Sequence, residues 1–137
     1  HFHATIFEKI ENGIAQYMQR LLNSYTKYFN GKYQKSGHLF QGPFKAVHVT
    51  DNRQLLYLSA YIHKNSSEIT GWRNKEHVYP WSSYQDYLDH NRWNLLLNKE
   101  TVSSQFKNTK EYKSFIETSG AKRIREELDG DLLIDSE

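Results

Sequence analysis

Two histidines at the start of the sequence have a spacing that permits metal binding. His1 and His3 are separated by one residue, so on a strand both imidazoles share one face with Cα atoms about 6.6 Å apart. One metal ion can be held between them. Imidazole alone suits Zn, Mn, Ni or Cu, whereas imidazoles joined by oxygen ligands and water suit Mg or Mn. Because the chain has seven histidines, a chance pair with a structural role is the alternative.

A tyrosine on a predicted helix is the candidate nucleophile. Tyr57, Tyr61 and Asn65 recur every four residues and therefore share one helical face. A phenol has a pKa near ~10 and reacts poorly at neutral pH, but a nearby divalent cation polarises a phosphoryl oxygen and favours the phenolate. The amide oxygen of Asn65 is placed to complete such a metal site. A tyrosine packed at an interface with its hydroxyl in water is the alternative.

Basic and aromatic residues are interleaved between Tyr25 and Lys45. That mixture suits single-stranded nucleic acid, because cations follow phosphates and rings stack on bases. Core packing is the alternative for the rings.

The charge of the chain is unevenly distributed. Residues 1–75 contain ten Lys/Arg against four Asp/Glu, and residues 76–137 contain eight against twelve. The basic half of the chain could attract a polyanion such as DNA. The alternative explanation of this charge distribution is an ordinary solvated surface with an acidic tail.

Composition limits the class of protein. With 37% hydrophobic and 25% charged residues in 137 positions, the chain is typical of a globular domain. No apolar run approaches the ~20 residues of a membrane span. The absence of cysteine excludes disulfides and thiolate metal sites.

The first half of the chain predicts strands around one long helix. Residues 1–8 alternate as a strand does. Apolar residues from Ile10 to Phe29 recur at helical spacing, and Asn30-Gly31 is the predicted helix stop. Residues 39–49 are rich in strand formers but interrupted by Gly42-Pro43, which predicts an irregular or edge strand.

The second half predicts further helices. Thr50 or Asp51 caps the helix that carries Tyr61, with Gln54 placed for a capping box. Residues 81–84 predict a loop leading into a third helix that ends near His90. Short charged helical segments follow, with a break at Gly120 and an acidic end after residue 130.

Five segments occur in an informative order. They are HFH (residues 1–3), MQRLLNSYTKYFNGKY (18–33), GHLFQGPFKAV (37–47), LLYLSAYIHKN (55–65) and YPWSSYQDYL (79–88). Together they resemble the HUH transposases with one catalytic tyrosine, above all the REP-associated branch. The resemblance implies an α+β fold in which an antiparallel sheet is flanked by helices, as in ferredoxin-like HUH domains. Residues 1–97 would form the C-terminal portion of the catalytic domain, beginning at the HUH motif without its upstream strands, and residues 98–137 a helical, charged extension.

The resemblance also assigns roles to individual residues. His1, His3 and Asn65 become ligands of a divalent metal ion, Mg or Mn, and Tyr61 becomes the nucleophile. The implied reaction is a transesterification in which the tyrosine attacks a phosphodiester and stays joined to the 5′ phosphate.

The implied partner is single-stranded DNA beside a hairpin. The expected location is the cytoplasm, and no membrane partner is expected. The expected phosphate contacts are Lys27, Lys32, Lys35, Lys45, Arg53 and Lys64. A sheet edge left open permits a homodimer. The main alternative is a hairpin-binding module without catalysis, inactive or domesticated. A third possibility is a helical domain unrelated to nucleic acid, whose histidines are structural.

Overall fold

The computed structural model describes residues 2–120 together with Ile124 and Leu128, and this part of the chain is helical. The α-helices are α1 (Gly13–Tyr33), α2 (Asn52–Lys64), α3 (Tyr84–Leu88), α4 (Glu100–Ser103) and α5 (Thr109–Thr118). Three 3-10 segments are Asn65–Glu68, Glu76–Val78 and Asn94–Leu96. The chain forms two compact units, His1–Ala46 and Val47–Glu137, each described by itself. None of the described helices has the length and apolar character needed to cross a membrane.

Helix α1 begins and ends later in the chain than the apolar pattern predicts. It follows Asn12, whose backbone is left-handed at φ 60°, and is followed by Gln34, which is left-handed at φ 51°. The predicted stop at Asn30-Gly31 is therefore wrong, because the helix continues to Tyr33. The ring of Phe29 lies 4.6 Å from that of Tyr33, and this contact between successive turns stabilises the extra residues.

Helix α2 begins at Asp51, one of the two residues that the sequence predicts as its cap. The Asp51 carboxylate accepts a hydrogen bond from the backbone N–H of Gln54 at 2.8 Å. The Gln54 side chain in turn accepts from the backbone N–H of Thr50 at 3.0 Å. This exchange resembles a capping box displaced by one residue. The helix ends at Lys64, and Asn65 opens the 3-10 segment that follows it.

The core of the second unit contains four buried tyrosines among its nine buried residues. Its buried members are Tyr57, Ala60, Tyr84, Tyr87, Val102, Tyr112, Ile116, Ile124 and Leu128. Helices α4 and α5 therefore share one core with α2 and α3, although they lie beyond the segments that resemble the transposases. A buried tyrosine brings a hydroxyl that needs a hydrogen-bond partner, so such a core must contain polar groups.

The predicted antiparallel sheet is wrong, since no strand occurs in the part of the chain that the structure describes. Residues 2–9 and 44–50 have no regular structure there. Alternating residues form a strand only when a second strand satisfies their backbone groups. At residues 39–49 the break is local, because Gly42 adopts φ 91° and Pro43 has no N–H to donate.

Candidate nucleic-acid interface and candidate catalytic tyrosine

One side of α1 exposes a row of aromatic residues. The residues at spacings of three and four are Tyr25, Tyr28, Phe29, Lys32 and Tyr33, which we call the aromatic face. The three tyrosines are 51%, 59% and 52% exposed in chain order. Ring centroids of Tyr25 lie 6.4 Å from those of both Tyr28 and Phe29. The rings form a continuous surface in contact with solvent instead of filling a core.

Lys32 places a positive charge among these rings. Its ammonium donates a hydrogen bond to the Tyr28 hydroxyl at 3.1 Å and lies 5.5 Å from the ring centroids of both Tyr28 and Tyr33. This hydrogen bond to the Tyr28 hydroxyl raises the pKa of Lys32, so the amine stays charged at neutral pH. A cation held between exposed rings can contact a phosphate while the rings stack on neighbouring bases.

Three further predicted phosphate contacts lie in the same unit. Lys27 is exposed on α1, while Lys35 and Lys45 are exposed after it. Residues 1–46 contain six Lys/Arg against two Asp/Glu. This unit therefore has the excess of positive charge that a nucleic acid requires.

The other two predicted phosphate contacts lie at opposite ends of α2. Arg53 is exposed in the first turn. Lys64 is half-buried at the last position, where its ammonium donates to the carbonyl of Ser119 at 2.9 Å. Lys64 thereby ties the end of α2 to the residue that follows α5.

The candidate nucleophile lies near the end of a firmly anchored helix. Tyr61 is half-buried and packs against the core of the second unit. Its neighbours Ala60 and His63 are buried. Asn65 follows one turn after Tyr61, is half-buried, and donates its backbone N–H to the carbonyl of Ile62. The predicted one-turn spacing between Tyr61 and Asn65 is therefore present.

The predicted metal ligands are divided along the chain. His1 lies outside the described residues, His3 is half-buried in the first unit, and Asn65 belongs to the second unit. Within residues 2–120 and the two described positions beyond, no three His, Cys, Asp or Glu side chains come together. The ligand set of His1, His3 and Asn65, and with it Mg or Mn, stays a prediction.

A buried histidine that the sequence reasoning missed lies beside this part of α2. His63 is only 3% exposed. Its Nδ1 lies 2.7 Å from the Tyr112 hydroxyl, and its Nε2 lies 2.9 Å from Oγ of Ser83. The ring stacks on Tyr84 with centroids 5.1 Å apart and meets the edge of Tyr87 at 4.9 Å. Both nitrogens are hydrogen-bonded, so the imidazole joins α2 to α5 and to the start of α3.

The surroundings of His63 keep it neutral. Burial lowers its pKa to about 3, although the negative charge of Asp86 acts in the opposite direction. Burial likewise raises the pKa of Tyr112, so the phenol keeps its proton. The signal in the sequence was the interval of three residues joining Tyr57, Ala60 and His63, which places the histidine on the buried face of the helix.

A buried ion pair, also missed, holds the segment before α4. The Asp86 side chain is fully buried and receives two hydrogen bonds of 2.8 Å from the Arg92 guanidinium. Burial raises the pKa of Asp86, but these hydrogen bonds outweigh that effect and the net shift is downward. Arg92 also donates to the carbonyls of Pro80 and Ser82. The pair thus fixes the loop that presents Ser83 to His63.

No known protein family, curated protein or solved structure matches this chain. The resemblance to HUH transposases therefore rests on the five sequence segments alone.

Proposed function

We propose that this chain acts on single-stranded DNA as a transposase or endonuclease of the single-tyrosine type, cleaving and rejoining strands through Tyr61. The observation that carries the DNA-binding part is the aromatic face of α1, where exposed rings surround the Lys32 ammonium. A folded domain in water normally covers such rings, and bases of an unpaired strand are suitable partners. The chemical part rests on the sequence segments that resemble the transposases.

The proposed reaction exchanges one phosphodiester for another. The Tyr61 oxygen forms a bond to phosphorus, and the bond from phosphorus to the 3′ oxygen breaks. The phenol loses its proton, and the departing 3′ oxygen gains one to become a hydroxyl. The 5′ phosphate stays on the tyrosine until a 3′ hydroxyl attacks it. A divalent metal ion, Mg or Mn, would polarise the phosphoryl oxygen under attack. The ligands for it that the sequence resemblance implies are His1, His3 and Asn65.

The anchoring of α2 supports Tyr61 as the attacking residue. Ala60 and His63 are buried in the core, and Lys64 is hydrogen-bonded to Ser119. These three residues hold the last turn of α2 in place. A nucleophile on a fixed helix loses little freedom when the substrate binds. The proposed substrate is DNA beside a hairpin, and the proposed location is the cytoplasm. A homodimer belongs to the same proposal.

The second candidate is DNA binding without cleavage. It is favoured by one observation: Tyr61 is half-buried and packs against the hydrophobic core, as a structural tyrosine does. Both candidates require binding of hairpin-bearing strands that weakens with salt. They differ in whether Tyr61 becomes joined to DNA.

The test is a denaturing gel of the full chain with labelled hairpin-bearing single-stranded DNA, with and without Mg or Mn. The proposal expects an adduct that needs the metal and disappears in Tyr61→Phe. Tyr57→Phe is the matched control, because it removes a hydroxyl one turn away on the same helix and should leave the adduct. Salt-sensitive binding with no adduct under any condition would establish the binding module instead.

A further inference from the structure

A cleft in the first unit lies between α1 and the loop of residues 38–44. Its volume is about 370 Å³, within the range of small-molecule sites. Leu22 on the helix and Leu39, Phe40 and Phe44 on the loop provide the apolar part of its lining. The Asn30 side chain donates to the carbonyl of Gly37 at 3.0 Å, which holds the loop against the last turns of α1.

The polar part of the lining comes from Gln19, Asn23, Thr26 and His38. The Thr26 hydroxyl is taken up by a hydrogen bond to the carbonyl of Leu22 at 2.8 Å, so we base the inference on the two amide side chains. Gln19 and Asn23 are one turn apart on α1, exposed, and both line the cleft. Within the described residues neither carboxamide has a hydrogen-bond partner. Each carboxamide offers a donor and an acceptor side by side. That pattern matches the edge of a nucleobase, which carboxamides read through paired hydrogen bonds.

Phe40 connects the cleft to the aromatic face. Its ring lines the cleft and also lies 6.2 Å from the ring of Tyr25. A strand whose bases stack on the aromatic face therefore reaches the mouth of the cleft without leaving a continuous apolar surface. None of the described residues lining the cleft is Asp, Glu, Lys or Arg. A neutral base fits this lining, whereas a phosphate is better placed near Lys32 outside.

We propose that this cleft binds one unstacked nucleobase of a single DNA strand that lies along the aromatic face. Phe40 and Phe44 contact the plane of the base, and Gln19 and Asn23 bind its edge. The inference rests on the proposed function for its substrate and deepens it, because a cleft of this kind selects which base stands at one position. The remaining bases stack on sequence-tolerant rings.

The experiment places the fluorescent base 2-aminopurine at successive positions of an unpaired strand bound to the full chain. A base that leaves the stack and enters the cleft changes its fluorescence at one position alone. Asn23→Ala and Gln19→Ala should abolish that change and weaken binding about tenfold each, as expected for lost paired contacts to a base. Gln16→Ala is the matched control, an exposed glutamine on α1 outside the cleft, and should change neither.

An abasic residue at the responsive position gives an independent check that does not depend on folding of a variant. Wild type should then bind the abasic strand at least as weakly as Asn23→Ala binds the intact strand, and Asn23→Ala should bind the abasic strand as well as wild type does. Binding that persists with the same fluorescence profile in Asn23→Ala overturns the cleft and leaves the proposed function intact. No binding of single strands at all overturns both, and a missing Tyr61 adduct with an intact profile overturns the catalytic part alone.

Discussion

The Nδ1 atom of His63 lies 2.7 Å from the hydroxyl of Tyr112, a residue 49 positions later. This contact joins the last turn of α2 to the first turn of α5 inside the core. Tyr61 and Asn65 lie two residues before and after the histidine. The geometry of the proposed catalytic segment therefore depends on a helix outside the segments that resemble transposases.

Acid should destabilise the protein through His63. Its pKa is about 3 in the folded chain against a usual 6.5. Between these values the unfolded chain binds a proton that the folded chain rejects, so stability falls as the pH falls below about 6.5. The expected slope is about 1.4 kcal/mol per pH unit from this residue. Urea unfolding at several pH values from about 7.5 to about 4.5 measures it.

Two substitutions distinguish the contribution of His63 to this pH dependence from that of the other histidines. In His63→Gln the slope should shrink, although the starting stability is lower because the hydrogen bonds change. His90→Gln, at an exposed position, should leave the slope as in wild type. A stability that stays flat from neutral pH to about 4.5 would show that His63 is not buried as described.

Removal of Arg92 should destabilise the second unit strongly. Arg92→Ala leaves the fully buried Asp86 carboxylate without its partner, a change worth about 3–5 kcal/mol. Lys113→Ala is the control, because its ion pair with Glu117 is exposed with atoms 3.7 Å apart and should change stability by less than about 1 kcal/mol. Equal effects of the two substitutions in thermal unfolding would contradict the burial of Asp86.

The helices were predictable where the signal was local. Asp51 and Gln54 indicate the start of α2, because their capping hydrogen bonds need no partner from elsewhere in the fold. The predicted break near Gly120 also agrees with the structure, in which α5 ends at Thr118. The sheet was not predictable, because alternation in residues 1–8 describes one strand and says nothing about its partner. The predicted helix end at Asn30-Gly31 was wrong for a related reason. The contact between Phe29 and Tyr33 outweighs the low helix propensity of a single glycine.

The candidate site was predictable only in part. The spacing of Tyr61 and Asn65 follows directly from helical periodicity, and the basic and aromatic residues of α1 are visible in the sequence. The partners of His63 were not, because Ser83 and Tyr112 lie 20 and 49 residues away. Contacts over such distances depend on tertiary packing, which periodicity within one helix does not report.

The cap of α2 should contribute measurably to stability. Asp51→Ala removes the carboxylate that accepts from Gln54 at 2.8 Å, and the expected loss is about 1 kcal/mol in chemical unfolding. Asn52→Ala tests specificity, since this exposed first residue of the helix caps nothing. A loss for Asn52→Ala as large as that for Asp51→Ala would argue against the cap.

The aromatic face should provide stacking energy for unpaired DNA. Tyr28→Ala removes a ring that is 59% exposed, so binding of single strands should weaken by about 1–3 kcal/mol while folding is little affected. Phe7→Ala, which removes a ring that is 84% exposed in the same unit, should not weaken binding. Titrations monitored by fluorescence anisotropy compare the two. Equal affinities for Tyr28→Ala and wild type would place the strand elsewhere.

The central claim is that Tyr61 becomes covalently joined to DNA, and peptide mapping of the adduct tests it most directly. The full chain is incubated with hairpin-bearing single-stranded DNA and Mg or Mn, the DNA is trimmed with nuclease, and the digest is analysed by mass spectrometry. We predict a nucleotide attached through its 5′ phosphate to Tyr61. Attachment to Tyr57 or to another tyrosine, or a digest in which every tyrosine remains unmodified, would contradict it.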